Sequence, residues 1–261
     1  MKAIITGANG TLGKGLRQYL EARDDVVIPW DRSRVPIDDY AQMEDFVRQT
    51  TPDVIFHLAI PSQLTGKDNE NWLVNYHWTS ELAWISRQQK IKFVYSSTVM
   101  VYTNDAVGPF TPESTPDAKT GYGYDKLQAE ERTFSQNPDA VVARLGWQIG
   151  EKAGSNNMID FFEKQMLEHG EVRASRRWLP ACSFIPDTAS ALASLVDKSP
   201  TVYLVNSNTR WTFYDIAVAL NEKHGNRWNI TPINDFIYDQ RMRDARVNIP
   251  ELNMRLPNLP R

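Results

Sequence analysis

The chain has 261 residues, of which 41% are hydrophobic and 23% charged, a globular mix that excludes a disordered chain, a collagen-like fibre and a membrane bundle. Its net charge of −3, from 29 basic and 32 acidic residues, provides no cationic surplus for a nucleic-acid backbone. A single cysteine, Cys182, rules out a disulfide framework within the chain and fits a reducing compartment. The apolar run Ala3-Ile4-Ile5 is too short for a signal-peptide core, and no window reaches the roughly 20 apolar residues of a membrane span. The expectation is a cytoplasmic protein with no nucleic-acid and no membrane partner.

Short apolar runs alternate with amphipathic stretches. Residues 2–6 predict a buried strand and 12–22 a helix, followed by a strand over 25–30. Met43, Phe46 and Val47 fall at helical spacing over 40–49. A third strand, 54–59, follows Pro52 and Asp53, and a long helix spans 70–89. Strand four covers 92–97, a helix 122–135, and strand five 140–145. Strands with continuous apolar runs, separated by helices, predict an α/β fold with a doubly wound parallel sheet. After residue 150 the pattern weakens: a helix over 156–169, a strand over 201–206 and a helix from Thr212 are predicted. The stretch 173–186 reads as a loop, and 229–261, with four prolines, has little periodicity. Two domains are expected: 1–150, and a smaller C-terminal substrate-binding lobe over 151–261, partly interleaved with the first.

Gly7-Ala8-Asn9-Gly10-Thr11-Leu12-Gly13 has the spacing GxxGxxG, between the first strand and the first helix. Glycines there allow a pyrophosphate to approach the backbone, and the helix N-terminus offers N–H groups to the anion. This predicts a Rossmann-type dinucleotide site formed by Gly7, Asn9, Gly10, Thr11, Leu12 and Gly13. A tight turn with no ligand is the plain alternative. Asp31, at the end of the second strand, can hold the adenosine ribose of NAD. Arg32 can stack on adenine, and Ser33 or Arg34 can pair with a 2′-phosphate. The balance leans to NADPH, with NAD as the alternative.

In Gly121-Tyr122-Gly123-Tyr124-Asp125-Lys126, Tyr122 and Lys126 lie four apart and share a helix face. An ammonium beside a phenol favours the phenolate and lowers its pKa. Tyr124 has Gln128, not a lysine, four residues on. Strand four ends in Tyr95-Ser96-Ser97-Thr98, whose hydroxyls sit where open α/β sheets bind ligands.

These residues resemble the extended, sugar-nucleotide-modifying branch of the short-chain dehydrogenase/reductase superfamily. In that branch the catalytic Ser or Thr lies three residues before a Val-Tyr pair, so Val101-Tyr102 points to Thr98, with Ser97 as the fallback. The resemblance continues in Pro52–Ala59, similar to the strand that passes beside the cofactor, which implies contacts from Leu58 and Ala59. It continues again in Asn75 and Thr79, which match an NxxxT element, and in Ser96 and Ser97. Arg144-Leu145-Gly146-Trp147-Gln148-Ile149-Gly150 is similar to an element typical of dTDP-4-dehydrorhamnose reductase-like proteins, in which the counterpart of Trp147 lines the sugar pocket. The resemblance covers roughly residues 1–220.

The resemblance implies reduction of a keto carbon on a nucleotide-linked 4-keto-6-deoxysugar by NAD(P)H. Tyr122 is then the proton donor, Thr98 a hydrogen-bond donor to the developing alkoxide, and Lys126 the residue that tunes Tyr122 and holds the cofactor. Trp147, Arg176 and Arg177 are the substrate-binding candidates, with Arg241, Arg243 and Arg246 weaker ones. Each arginine also reads as solvated surface charge. Val99 and Met100 stand where related dehydratases carry an Asp-Glu pair, which argues against elimination of water. His57, His77, His169 and His224 have no metal-ligand spacing, so no metal is expected. An NAD-dependent epimerase and a non-catalytic dinucleotide-binding regulator are the competing readings. Relatives pair through two helices per subunit, which implies a homodimer through 70–89 and 122–135.

Overall fold

The structure is a computed structural model and describes residues 1–61, 66, 68–154 and 156–260. Strand β1 (Lys2–Thr6) runs through a glycine turn into α1 (Thr11–Glu21), then β2 (Val26–Pro29) and α2 (Tyr40–Thr50). After β3 (Val54–His57), a single turn α3 (Glu70–Trp72), a π-helical turn (Leu73–His77) and α4 (Trp78–Gln88) run end to end. Strand β4 (Lys92–Thr98), a 3₁₀ turn (Val99–Val101), α5 (Gly121–Gln136) and β5 (Val141–Leu145) complete the first part. The predicted elements up to residue 145 are therefore present, within two residues at each end of most of them. The π turn was not predicted, because no spacing rule distinguishes it from α-helix.

The second part comprises β6 (Trp147–Ile149), α6 (Met158–His169), β7 (Val172–Leu179), β8 (Cys182–Phe184), α7 (Ile185–Ser194), β9 (Val202–Val205), α8 (Phe213–Lys223) and β10 (Ile230–Asp239). Two expectations fail here. The segment 173–186 is not a loop: it forms most of β7 and all of β8. The tail is not irregular throughout, because β10 pairs with β7 in a parallel two-stranded ribbon. Both strands expose adjacent polar residues, such as Arg176-Arg177 and Asn234-Asp235, which erases the period-two signal. Pro232 is accommodated because this ribbon has only edge strands.

The main sheet is parallel throughout, in the order β2-β1-β3-β4-β5-β9. It is a Rossmann-like α/β sheet with apolar strands covered on both faces. Ala3, Ile5, Phe56 and Val94 pack on one side against Leu16 and Leu20 of α1 and Ala189 and Leu192 of α7. Ile4, Ile55, Phe93 and Tyr95 pack on the other against Met43, Trp78, Leu82 and Ala129. The smaller part has its own core of Ile149, Phe162, Phe184, Trp211, Phe213 and Trp228. The chain changes direction across the sheet between β1 and β3, which opens a crevice at the strands' carboxyl ends.

Close approaches at two glycines set the shape of that crevice. A Cβ on Gly13 would lie 2.1 Å from the Gly7 carbonyl oxygen, so α1 begins tight against the turn. A Cβ on Gly123 would lie 1.9 Å from the Met100 carbonyl oxygen, so α5 starts pressed against the 3₁₀ turn that follows β4.

A buried ion pair ties α5 to the sheet. Arg144 donates to Glu130 Oε2 at 2.7 Å through one terminal nitrogen and to Glu130 Oε1 at 3.0 Å through Nε. Its other terminal nitrogen donates to the Tyr102 hydroxyl at 2.7 Å, and the Ser97 hydroxyl donates to Glu130. Both charged side chains are under 10% exposed, at 7% and 4%. Removing one partner of such a pair leaves an uncompensated buried charge, at a cost of about 3–5 kcal/mol. Arg144→Met is expected to lose stability of that order in chemical denaturation, and pairing it with Glu130→Met to recover most of the loss. A full-sized loss in the double variant would contradict the assignment.

Candidate active site

The crevice is a cleft of about 1070 Å³. Its floor is the first glycine turn: Gly7, Gly10, Thr11, Leu12 and Gly13 all line it, while Asn9 is exposed beside it. Gly7 has φ +67°, and a Cβ there would come within 3.0 Å of the Ala59 Cα, so this turn is packed directly on the end of β3. Gly10, the residue before α1, gives the helix no side-chain cap, and α1 begins in the cleft. That arrangement is built for an anionic group.

Beneath the floor lies a polar chain that fixes it. The Thr6 hydroxyl oxygen accepts the Leu58 and Ala59 N–H groups at 3.1 and 3.2 Å and lies 2.8 Å from His57 Nδ1. Thr79 donates its hydroxyl proton to the Asn75 carbonyl at 2.8 Å and lies 2.9 Å from His57 Nε2. Because the Thr79 proton is already engaged, His57 Nε2 carries the ring hydrogen and Nδ1 accepts from Thr6, an assignment made from the bonding pattern. Burial and the nearby Lys126 push the His57 pKa down to about 3, in accord with a neutral ring. Leu58 lines the cleft; Ala59 and Asn75 are buried and are not among its lining residues.

Ser96, Ser97 and Thr98 line the cleft from the carboxyl end of β4. Their hydroxyls have different partners. Ser96 donates to the His57 carbonyl at 3.1 Å, and Ser97 donates to Glu130. Thr98 Oγ1 instead accepts the Met100 N–H at 3.2 Å. Tyr122, the second residue of α5, lines the same cleft and is 39% exposed. Lys126, one turn further along α5, is 1% exposed and is not among the residues lining the cleft, and its Nζ lies 4.2 Å from the centre of the Tyr95 ring. Tyr124 is an exposed residue and is not among those lining the cleft.

The expected lowering of the Tyr122 pKa is not what this environment produces. Burial pushes the phenol up to about 12. Burial also pulls Lys126 down to about 7, with Glu130 acting against it. Desolvation penalises the charged form of each group.

The far wall is aromatic. Trp147 lines it, stacked on Trp178 with ring centres 5.9 Å apart at 22°, and edge-on to Phe161 at 5.2 Å. Trp178, Phe161, Gln148 and Gln240 were not found by sequence reasoning; the first and last arrive on or beside the unpredicted ribbon. Arg176 and Arg177 are not brought to the cleft: both are exposed on β7, and Arg176 lies 4.7 Å over the Tyr214 ring. Arg241 and Arg246 are paired with Asp239 and Asp244.

At the end of β2, the Asp31 carboxylate accepts the Ser33 N–H and hydroxyl at 2.9 and 2.7 Å, which holds its pKa below the usual carboxylate range. Arg32 reaches Glu70, 3.3 Å away. None of these three lines the cleft. The buried Cys182 thiol is pushed up by desolvation and is no nucleophile. Among the described residues, no group of three His, Cys, Asp or Glu is placed to hold a metal, and no helix is long and apolar enough to cross a membrane.

A sequence profile for the family described as RmlD substrate binding domain matches residues 1–247. The spore coat polysaccharide biosynthesis protein SpsK of Bacillus subtilis is 24% identical over 227 residues, covering 86% of this chain and 80% of that protein. A dTDP-4-keto-6-deoxy-D-glucose reductase of Streptomyces niveus is 24% identical over 219 residues, covering 82% and 75%. Among solved structures, dTDP-4-dehydrorhamnose reductase from Bacillus anthracis in complex with NADP superposes with a TM-score of 0.81 at 19% identity, covering 99% of this chain and 98% of that one.

Neutral burial of His57 has a pH signature. Between about pH 3 and 6.5 the unfolded chain binds a proton at this ring that the folded chain refuses. Stability therefore rises with pH across that window and is lost on acidification, by on the order of a few kcal/mol in all. Denaturation of wild type and His57→Gln at several pH values should show a shallower acid dependence in the variant. Parallel profiles would contradict the neutral, hydrogen-bonded ring.

Proposed function

The chain belongs to the RmlD substrate binding domain family, and from that premise we propose that it reduces the keto carbon of a nucleotide-linked 4-keto-6-deoxysugar with NADPH, NADH being the alternative. The observation that carries the reading is one cleft in which Thr98 and Tyr122 stand between a glycine-lined helix start and an aromatic wall. The family's relatives include a reductase of that substrate type, and a structural neighbour is a reductase in complex with NADP.

The residues fit a dinucleotide. Gly7, Gly10 and Gly13, with Thr11 and Leu12, form the cradle for its pyrophosphate, where a Cβ at Gly13 would collide with the backbone. Asp31 lies just after β2 for the adenosine ribose, with Arg32 to stack on adenine and Ser33 or Arg34 to pair with a 2′-phosphate. Leu58, Ala59, Asn75, Ser96 and Ser97 form or back the wall beside the nicotinamide half. The bound cofactor supplies the hydride.

Tyr122 gives its proton to the oxygen of the carbonyl as that oxygen becomes an alkoxide. A phenol held neutral by burial is in the form this step needs. Thr98 accepts from Met100 through its oxygen and donates its O–H to the same alkoxide. Lys126, one turn along α5 from Tyr122, would stabilise the phenolate left after proton transfer and would be the residue to hold the nicotinamide ribose of a bound cofactor. Trp147, backed by Trp178, packs against the sugar ring. The product is the alcohol, one hydride and one proton richer than the ketone.

NADPH and NADH oxidation with a dTDP-4-keto-6-deoxyhexose tests this. Tyr122→Phe is expected to lower kcat by at least about 10²-fold while cofactor affinity is retained. Full turnover in Tyr122→Phe would contradict the assigned proton donor, and no turnover by cofactor-loaded wild type would contradict the reductase reading.

A further inference from the structure

The ammonium of Lys126 sits in an unusual place for a charge. The residue is 1% exposed, and its Nζ lies 4.2 Å from the centroid of Tyr95, itself 0% exposed. Tyr95 belongs to β4, three residues before Thr98, and packs among Trp78, Phe93 and Ala129. Its ring is stacked on His57 at 5.8 Å and 22°. Burial pushes the Tyr95 phenol well above its ordinary value, so the residue is neutral and meets Lys126 as a ring.

We infer that Tyr95 is a positioning residue for Lys126, its ring face holding the buried ammonium one turn from Tyr122 and favouring the charged form of the lysine. The inference rests on the reading of Tyr122 and Lys126 as the working pair. The electron-rich face of an aromatic ring attracts a cation most strongly where water is excluded, as it is here. The other groups around Lys126 are accounted for. On its own helix stand Tyr122 one turn before it and Glu130 one turn after it. Glu130 is engaged by Arg144 from β5 and by Ser97 from β4, so much of its charge is already met. His57 on β3 is a neutral ring. From β4, Tyr95 meets the ammonium directly, across the ring face.

The test reads the titration of Lys126 itself. In protein carrying ¹³C-labelled lysine, the Lys126 side-chain resonance is assigned by its loss in Lys126→Met and followed against pH. Tyr95→Phe keeps the ring and is expected to leave the titration in place. Tyr95→Leu removes the ring and is expected to move it down by about one pH unit. Fluorinated phenylalanines at position 95 keep shape and volume while weakening the ring's negative face, and are expected to move it stepwise in the same direction. If Tyr95→Leu does not fold, the fluorinated series decides. A titration unmoved by fluorination, or moved as far by Tyr95→Phe as by fluorination, overturns the inference. The titration needs no turnover, so a protein that lacks reductase activity contradicts the proposed reaction and leaves this result standing.

Discussion

The pair between Glu130 and Arg144 is the constraint on which the site depends. Three segments must meet for the proposed chemistry: the end of β4 with Thr98, the start of α5 with Tyr122, and the end of β5, which leads to Trp147. Glu130 stands two turns along α5 from Tyr122, Arg144 stands three residues before Trp147, and Ser97 is the neighbour of Thr98. All three join in one buried hydrogen-bonded cluster, with Tyr102 from the turn after β4 as its fourth member. A buried ion pair is a poor source of net stability, because desolvation consumes most of its attraction. It has instead a demanding geometry, since each buried oxygen and N–H must find its partner. Here that demand fixes the register of α5 against the sheet.

Around that anchor the molecule separates two tasks. The glycine turn and the Thr6–His57–Thr79 chain form a rigid floor, in which backbone approaches and neutral hydrogen bonds leave little freedom. The opposite wall is built of rings from the smaller core: Trp147, Trp178 and Phe161 belong to the cleft and pack with Phe213 beneath it. Trp147 thus serves both as packing and as a cleft surface, and the two readings of it from sequence are compatible. Strand β9 and helix α7 return from the later part of the chain to complete the main sheet and its cover, which couples the wall to the floor.

Local features were legible in the sequence and tertiary ones were not. The glycine turn, the four-residue spacing of Tyr122 and Lys126, and the hydroxyl run at Ser96–Thr98 are short-range patterns. Their chemistry can be read because a strand end and a helix face place neighbours by spacing alone. The spacing did not reveal burial. Lys126 reads as an ordinary helix-surface lysine, yet it is enclosed, and burial moves the Tyr122 pKa up rather than down. Glu130 carried a usable signal, because it lies four residues beyond Lys126 on the same face. The ribbon of β7 and β10 joins segments about 60 residues apart and carries no alternation, so Trp178 and Gln240 had no local signature. Arg176 and Arg177 attracted attention by charge alone, and the strand turns them to solvent.

The central claim is that this cleft directs a hydride from a nicotinamide to the keto carbon of a sugar nucleotide. Its most direct test uses NADPH deuterated at nicotinamide C4, with a dTDP-4-keto-6-deoxyhexose and the wild-type protein. The account predicts a reduced sugar nucleotide one mass unit heavier than the product made with unlabelled cofactor, with the deuterium on C4 of the sugar. A product without deuterium, or a substrate merely inverted at another carbon with the cofactor unchanged, would contradict it.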